Sequence, residues 1–110
     1  MKTYSVKVTS QAQDHILEYA SYIKDELMNS VAAENFVRVL WEEINTLDVM
    51  PKRCPCIKEE PWRSMKIRKI IVRGYYVYYL VDDEKKQVIV VGVVYGKRNQ
   101  IEQLENIIAK

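Results

Sequence analysis

Between Thr3 and Val8 the chain alternates Tyr4, Val6 and Val8 with polar residues, the period of a strand that buries one face. Ser10 followed by Gln13 matches a capping box, in which the two side chains satisfy backbone N–H groups where a helix begins. Ala12, Ile16, Tyr19, Ala20, Ile23 and Leu27 recur at helical spacing behind it, with Asp14, Glu18, Lys24 and Asp25 on the opposite side. Asn29-Ser30 interrupts the pattern and caps a second helix, whose apolar stripe reads Ala33, Phe36, Val37, Leu40, Ile44 and Leu47 and which Pro51 ends. So short a break predicts an antiparallel helix hairpin whose apolar face must bury against something else.

The remainder of the chain supplies that surface. Residues 52–61 are broken by proline and mixed in charge, an irregular connection. Three runs rich in β-branched and aromatic residues follow, Met65 to Val72, Tyr75 to Val81 and Val88 to Tyr95. Arg73-Gly74 marks a tight turn and Asp82 to Gln87 a polar one, which predicts an antiparallel meander. Ile101, Leu104, Ile107 and Ile108 suggest a short C-terminal helix. The expected architecture is α+β: a single domain over residues 1–110 in which the helix hairpin covers one face of a four-stranded, largely antiparallel sheet. The other face is left for function. Alternation puts Lys66 and Arg68 on one side of their strand and Tyr76 and Tyr78 on one side of the next. Ile70-Ile71-Val72 breaks the alternation, which implies a bulge or burial of both faces.

Composition sets limits on this picture. At 110 residues and 48% hydrophobic, the chain can bury one modest core. It contains no apolar run of the roughly 20 residues needed to cross a bilayer and no signal-peptide pattern at its start, so a cytoplasmic, non-membrane protein is expected. Cys54 and Cys56 flank Pro55 in a ring too tight for a comfortable disulfide. They read as free thiols with a structural or incidental role, since the lone His15 is remote and a metal site would need more ligands. No cofactor and no metal are expected. The net charge of +2 conceals a division along the chain: residues 1–51 hold four Lys/Arg against eight Asp/Glu, and residues 52–98 hold twelve against five. A basic half of this kind suits a polyanion or an acidic protein partner.

No Gly-rich phosphate loop, Ser/His/Asp arrangement or metal-spaced cluster is present. What remains is basic and phenolic. Arg63, Lys66, Arg68, Arg73, Lys97 and Arg98 fall in or beside the expected sheet, interleaved with Tyr75, Tyr76, Tyr78, Tyr79 and Tyr95. Cations can hold phosphate and tyrosine rings can stack on bases, which together suit a single-stranded RNA surface. Against this, at least half of the tyrosines are expected to pack the sheet, because a strand of five such residues must bury one face. Arg73 can be a turn solubiliser, as Lys85 and Lys86 are, and His15 a residue at the boundary of the core.

Lys66-Ile67-Arg68, then Gly74-Tyr75-Tyr76-Val77-Tyr78-Tyr79, then Val93-Val94-Tyr95-Gly96-Lys97-Arg98 resemble the sheet and C-terminal motif of RelE/ParE toxins of bacterial toxin–antitoxin pairs. The helix hairpin with Ala32, Ala33 and Phe36 is similar too. The resemblance implies one of two activities, each restrained by a cognate antitoxin: ribosome-dependent cleavage of messenger RNA, or inhibition of DNA gyrase without nuclease activity. The first is placed ahead. Under it Lys66 or Tyr95 would take the 2′-hydroxyl proton, Arg68 and Arg98 would stabilise the scissile phosphate, and Tyr95 or Lys97 would protonate the leaving group; Arg63, Arg73, Tyr76 and Lys97 would bind RNA. Tyr76 falls where the ribonucleases commonly carry arginine, and Leu104 near where some carry tyrosine. The third possibility is an interaction domain without toxicity. An acidic antitoxin segment is expected to wrap the helices and neutralise the basic sheet.

Overall fold

The structure, a computed structural model, describes residues 3–96. Strand β1 (Ser5–Val8) leads directly into α1 (Ser10–Asp25), which is followed by α2 (Ser30–Asn45), two single 3-10 turns at Thr46–Asp48 and Pro51–Arg53, and strands β2 (Arg68–Val72), β3 (Tyr75–Asp82) and β4 (Gln87–Tyr95). The sheet order is β1-β4-β3-β2, with β1 parallel to β4 and the other two pairs antiparallel. Closing a parallel pair requires a crossover through intervening chain, and here the crossover contains the helix hairpin as well as β2 and β3. The expected C-terminal helix lies outside the described residues. Among the described residues no helix is long and apolar enough to cross a membrane.

The expected helix starts are present, with one shift. Thr9 rather than Ser10 is the first cap, its hydroxyl accepting from the Ala12 N–H at 3.1 Å, while the Gln13 amide donates to the Val8 carbonyl at 3.0 Å. Asn29 Oδ1 accepts from the Ala32 N–H at 3.0 Å at the start of α2. The first helix stops at Asp25, so Leu27 leaves the buried stripe and is exposed. Met28 takes a left-handed φ of 52° to turn the chain into α2.

Two apolar clusters sandwich the sheet. Ile16, Phe36, Leu40, Ile44 and Leu47 from the helical layer pack on Ile70, Val72, Val77, Tyr79, Val88, Val90 and Val93. On the opposite face Trp62 and Ile67 pack on Tyr78 and Val94, with Ile57, Tyr76, Leu80 and Val91 around them. That face is therefore not left bare, as the strand pattern alone suggested: the connection before β2 folds over it. Residues 59–67 do this through successive tight turns, with Arg63 N–H bonded to Glu59 O, Met65 N–H to Pro61 O and Ile67 N–H to Trp62 O.

The bulge occurs in β4 and not in β2. Tyr78 pairs with Gly92 and Tyr79 with Val90, which leaves Val91 without a partner and shifts the alternation so that Val93 joins the helical side and Val94 the other. In β2, Ile70 and Val72 are buried and Ile71 is exposed, so that strand alternates regularly. At the far end of the β3–β4 hairpin, Asp83 accepts from the Tyr4 hydroxyl at 3.0 Å and pairs with Lys52. The Lys52 and Tyr4 hydrogen bonds hold its carboxyl below the usual carboxylate range.

Trp62→Ala should lower the unfolding free energy by about 3 kcal/mol or more in urea denaturation, because Trp62 is a large side chain buried in its cluster. A depressed carboxyl stabilises the fold above the ordinary carboxylate pKa, and the contribution disappears as pH falls through the folded value. Asp83→Asn should therefore narrow the stability difference between parent and variant as the pH is lowered, readable in denaturation curves across the acid limb.

Candidate functional site

The residues singled out from the sequence separate into three places. Lys66 is not on β2. It lies in the turn that precedes the strand, exposed and left-handed at φ 60°, with its N–H bonded to Arg63 O at 3.0 Å. Arg63 is exposed on the same turn and donates to Glu60 at 2.8 Å. Glu60 is held below the usual carboxylate range, first by its bond to Ser64 and then by Arg63. Arg73 occupies the β2–β3 turn at φ 50° and is exposed.

Arg68 is on β2 but faces the helical layer. It lies opposite Tyr79, which packs in that layer's core. Its guanidinium donates to the Cys54 carbonyl and, at 3.4 Å, to the Lys52 carbonyl. A group that ties two loop carbonyls to the sheet is committed to holding the connection in place. The sharing of one strand face by Lys66 and Arg68, expected from alternation, does not occur because the strand begins two residues after Lys66. Beside Arg68, the Tyr79 hydroxyl donates to Pro51 O at 2.6 Å and interacts with Cys54. Burial, followed by Cys54, drives the Tyr79 phenol far above its ordinary pKa, and burial does the same to Tyr78. Neither phenol is available as a base.

Tyr95 is at the other end of the sheet, also on the helical side. It lies opposite Tyr75, with ring centroids 5.2 Å apart, and Tyr75 meets Tyr19 at 5.0 Å and Phe36 at 4.7 Å. Burial, then the neighbouring tyrosines, raises the pKa of Tyr75. Strand β1 stops pairing at Val90, and two α1 side chains one helical turn apart occupy the edge of β4 beyond it. His15 Nδ1 accepts from the Val93 N–H at 3.1 Å and the Tyr19 hydroxyl from the Tyr95 N–H at 3.0 Å. A cavity of about 710 Å³ between α1 and this edge is lined by His15, Tyr19, Tyr22, Tyr75 and Tyr95 among others. By its place in the sequence, His15 reads only as a boundary or surface residue. Its spacing of four from Tyr19 on one helix face was the available signal.

On the face away from the helices, Tyr76 and Tyr78 do share a side, as alternation implied, with rings 6.3 Å apart. The cation against them is Lys69, not Lys66 or Arg68: its ammonium sits 4.3 Å from the Tyr76 ring centroid. Lys69 lies directly opposite Tyr78, which follows from the strand register once the strand is known to start at Arg68. Gly96 completes the end of the sheet, its N–H bonded to Gly74 O at 2.8 Å. A Cβ there would approach that oxygen to 2.7 Å, so only glycine fits. Lys97 and Arg98 lie outside the described residues.

The family model described as ParE toxin of type II toxin–antitoxin system, parDE, matches residues 6–100. No curated protein matches the chain. Among solved structures, the fold is similar to a chain of the chromosomal ParDE toxin–antitoxin system from P. aeruginosa, at a TM-score of 0.70 and 14% identity, over 86% of this chain and 98% of that one. It is also similar to a chain of the toxin–antitoxin complex RelBE2 from Mycobacterium tuberculosis, with a TM-score of 0.62, 18% identity and coverage of 86% and 93%. A mutant of E. coli toxin RelE in the free state gives 0.59 and 18%, over 92% of each chain. At these identities the structural likeness concerns the fold.

Arg68→Ala should destabilise the protein by about 1–2 kcal/mol, since a charged donor to two carbonyls is lost. Lys66→Gly should instead stabilise it by about 1 kcal/mol by relieving the left-handed backbone. Both are read by urea denaturation, and the opposite signs distinguish a structural Arg68 from a free surface lysine.

Proposed function

Because the chain belongs to the ParE toxin family of type II toxin–antitoxin systems, within the RelE/ParE fold, we propose that it inhibits DNA gyrase by docking on it and does not cleave RNA. The observation that carries this reading is the dispersal of the residues a ribonuclease would use. Arg68 lies opposite Tyr79 and Tyr95 opposite Tyr75, so the two are separated by four strand positions, about 13 Å at the usual rise. The Arg68 guanidinium is bonded to loop carbonyls on the helical side, and Lys66 is on a turn before the strand. General acid–base chemistry on one phosphate needs its groups within hydrogen-bond reach of the reacting atoms. Among the described residues Lys66, Arg68 and Tyr95 do not meet that condition together. Messenger RNA cleavage, placed first from the sequence, gives way to the second activity on these grounds.

The basic residues then serve recognition. Arg63, Lys66 and Arg73 are exposed on turns, and Lys69 caps the Tyr76 ring on the face away from the helices. Charges so placed steer and orient a protein partner more than they drive its affinity. A cognate antitoxin with an acidic, partly disordered segment fits the same surface and would hold the toxin inactive, folding as it binds.

The test sets purified toxin against gyrase in a supercoiling assay and, in parallel, maps transcript 5′ ends in a translating extract. Supercoiling should fall with toxin concentration while transcripts stay intact, and added antitoxin should restore it. Translation-dependent cuts with gyrase unaffected would return the assignment to messenger RNA cleavage.

A further inference from the structure

The cysteines are a chemically distinctive pair that the toxin reading leaves unused. Both are free and half-buried, and both line a single cavity of about 600 Å³ beside β2, together with Arg53, Lys58, Lys69 and Glu43. Cys54 is extended at φ −98° and ψ 140°, and Cys56 forms an antiparallel bridge with Arg68. In an extended segment residues i and i+2 project to the same side. Pro55 between them fixes its own φ and so limits the backbone freedom of the segment that carries both thiols. Residues directly opposite in an antiparallel bridge also share a side, which puts Cys56 with Arg68. Cys54 interacts with the Tyr79 phenol on that same side, within the field of Arg68 and Arg53.

We propose that Cys54 and Cys56 form a two-coordinate site for a soft, thiophilic monovalent cation of the copper(I) class. Thiolates select such ions, and linear coordination needs only two donors. Zinc requires four, and among the described residues no group of three or more histidine, cysteine or acidic side chains is assembled. The expectation of a structural or incidental role followed from counting ligands for a tetrahedral ion and does not apply to a digonal one. On binding, two S–Cu bonds form as the ligands that delivered the copper, acetonitrile in the test below, leave it. Both S–H bonds break with their protons passing to water; copper stays in the +1 state and no electron moves. The bis-thiolate complex carries a net charge of −1, which the cationic surroundings of Arg68, Arg53 and Lys58 favour. Glu43 and Glu59 also line the cavity and temper that field without cancelling it.

The experiment titrates the reduced full chain anaerobically with copper(I) supplied as its acetonitrile complex, in competition with a chromogenic copper(I) chelator. The expected result is thiolate-to-copper charge-transfer absorption that saturates at one equivalent, with a 1:1 adduct in native mass spectrometry. Cys54→Ser and Cys56→Ser should each lose that endpoint while keeping the parent's circular dichroism. X-ray absorption of the loaded parent should show two sulfur neighbours, a measurement that holds if a serine variant fails to fold. Absence of a one-equivalent endpoint, a folded single-serine variant that binds as tightly as the parent, or a copper shell without two sulfurs would each overturn the proposal.

Discussion

The structure depends on β4, which is buried on both faces and paired on both edges over its first half. Val88, Val90 and Val93 meet the helices, while Val91 and Val94 meet the Trp62 cluster. A strand so placed can tolerate no unpaired backbone without compensation. Strand β1 satisfies one edge up to Val90, and beyond it His15 and Tyr19 take over as side-chain acceptors. The helix hairpin is thus tied to the sheet by hydrogen bonds as well as by apolar contact, which fixes where α1 can lie.

The Val91 bulge has a wider effect than its size suggests. By adding one residue it restores Val93 to the helical core and Val94 to the opposite one, so that both clusters are filled at the end of the sheet where Gly96 closes on Gly74. It also sends Tyr95 to the helical side beside Tyr75. The residue with the most obvious acid–base chemistry near the terminal motif is thereby packed among aromatic rings, away from Lys69 and Tyr76. The proposed docking activity would call for a shaped, charged surface and no convergent catalytic groups.

Arg68 links the sheet to the segment that carries the thiols. Its bonds to the Cys54 and Lys52 carbonyls, with Tyr79 on Pro51 O, order the connection from Pro51 to Cys56 at the start of β2. The same connection continues as the turns that carry Trp62 over the second face. One half-buried arginine therefore supports both the cover of that face and the placement of the segment that carries Cys54 and Cys56.

The order of elements among the described residues, the hairpin of helices and the face shared by Tyr76 and Tyr78 were determined by the sequence itself, because periods of 3.6 and 2 are local properties of the backbone. The same local rule placed Lys66 with Arg68, and there it failed: periodicity says which residues share a face only within a strand, not where the strand begins. That limit was decided by Trp62 and Ile67, whose burial on the second face pulls Met65 and Lys66 into turns. The run Ile70-Ile71-Val72 likewise left the bulge ambiguous, since an exposed Ile71 is indistinguishable by type from a buried one. Which cation would stack on Tyr76, and that the two cysteines would face one cavity with Arg68 beside them, depended on cross-strand register and on a loop's path. Both are long-range relations, settled only when distant segments pack.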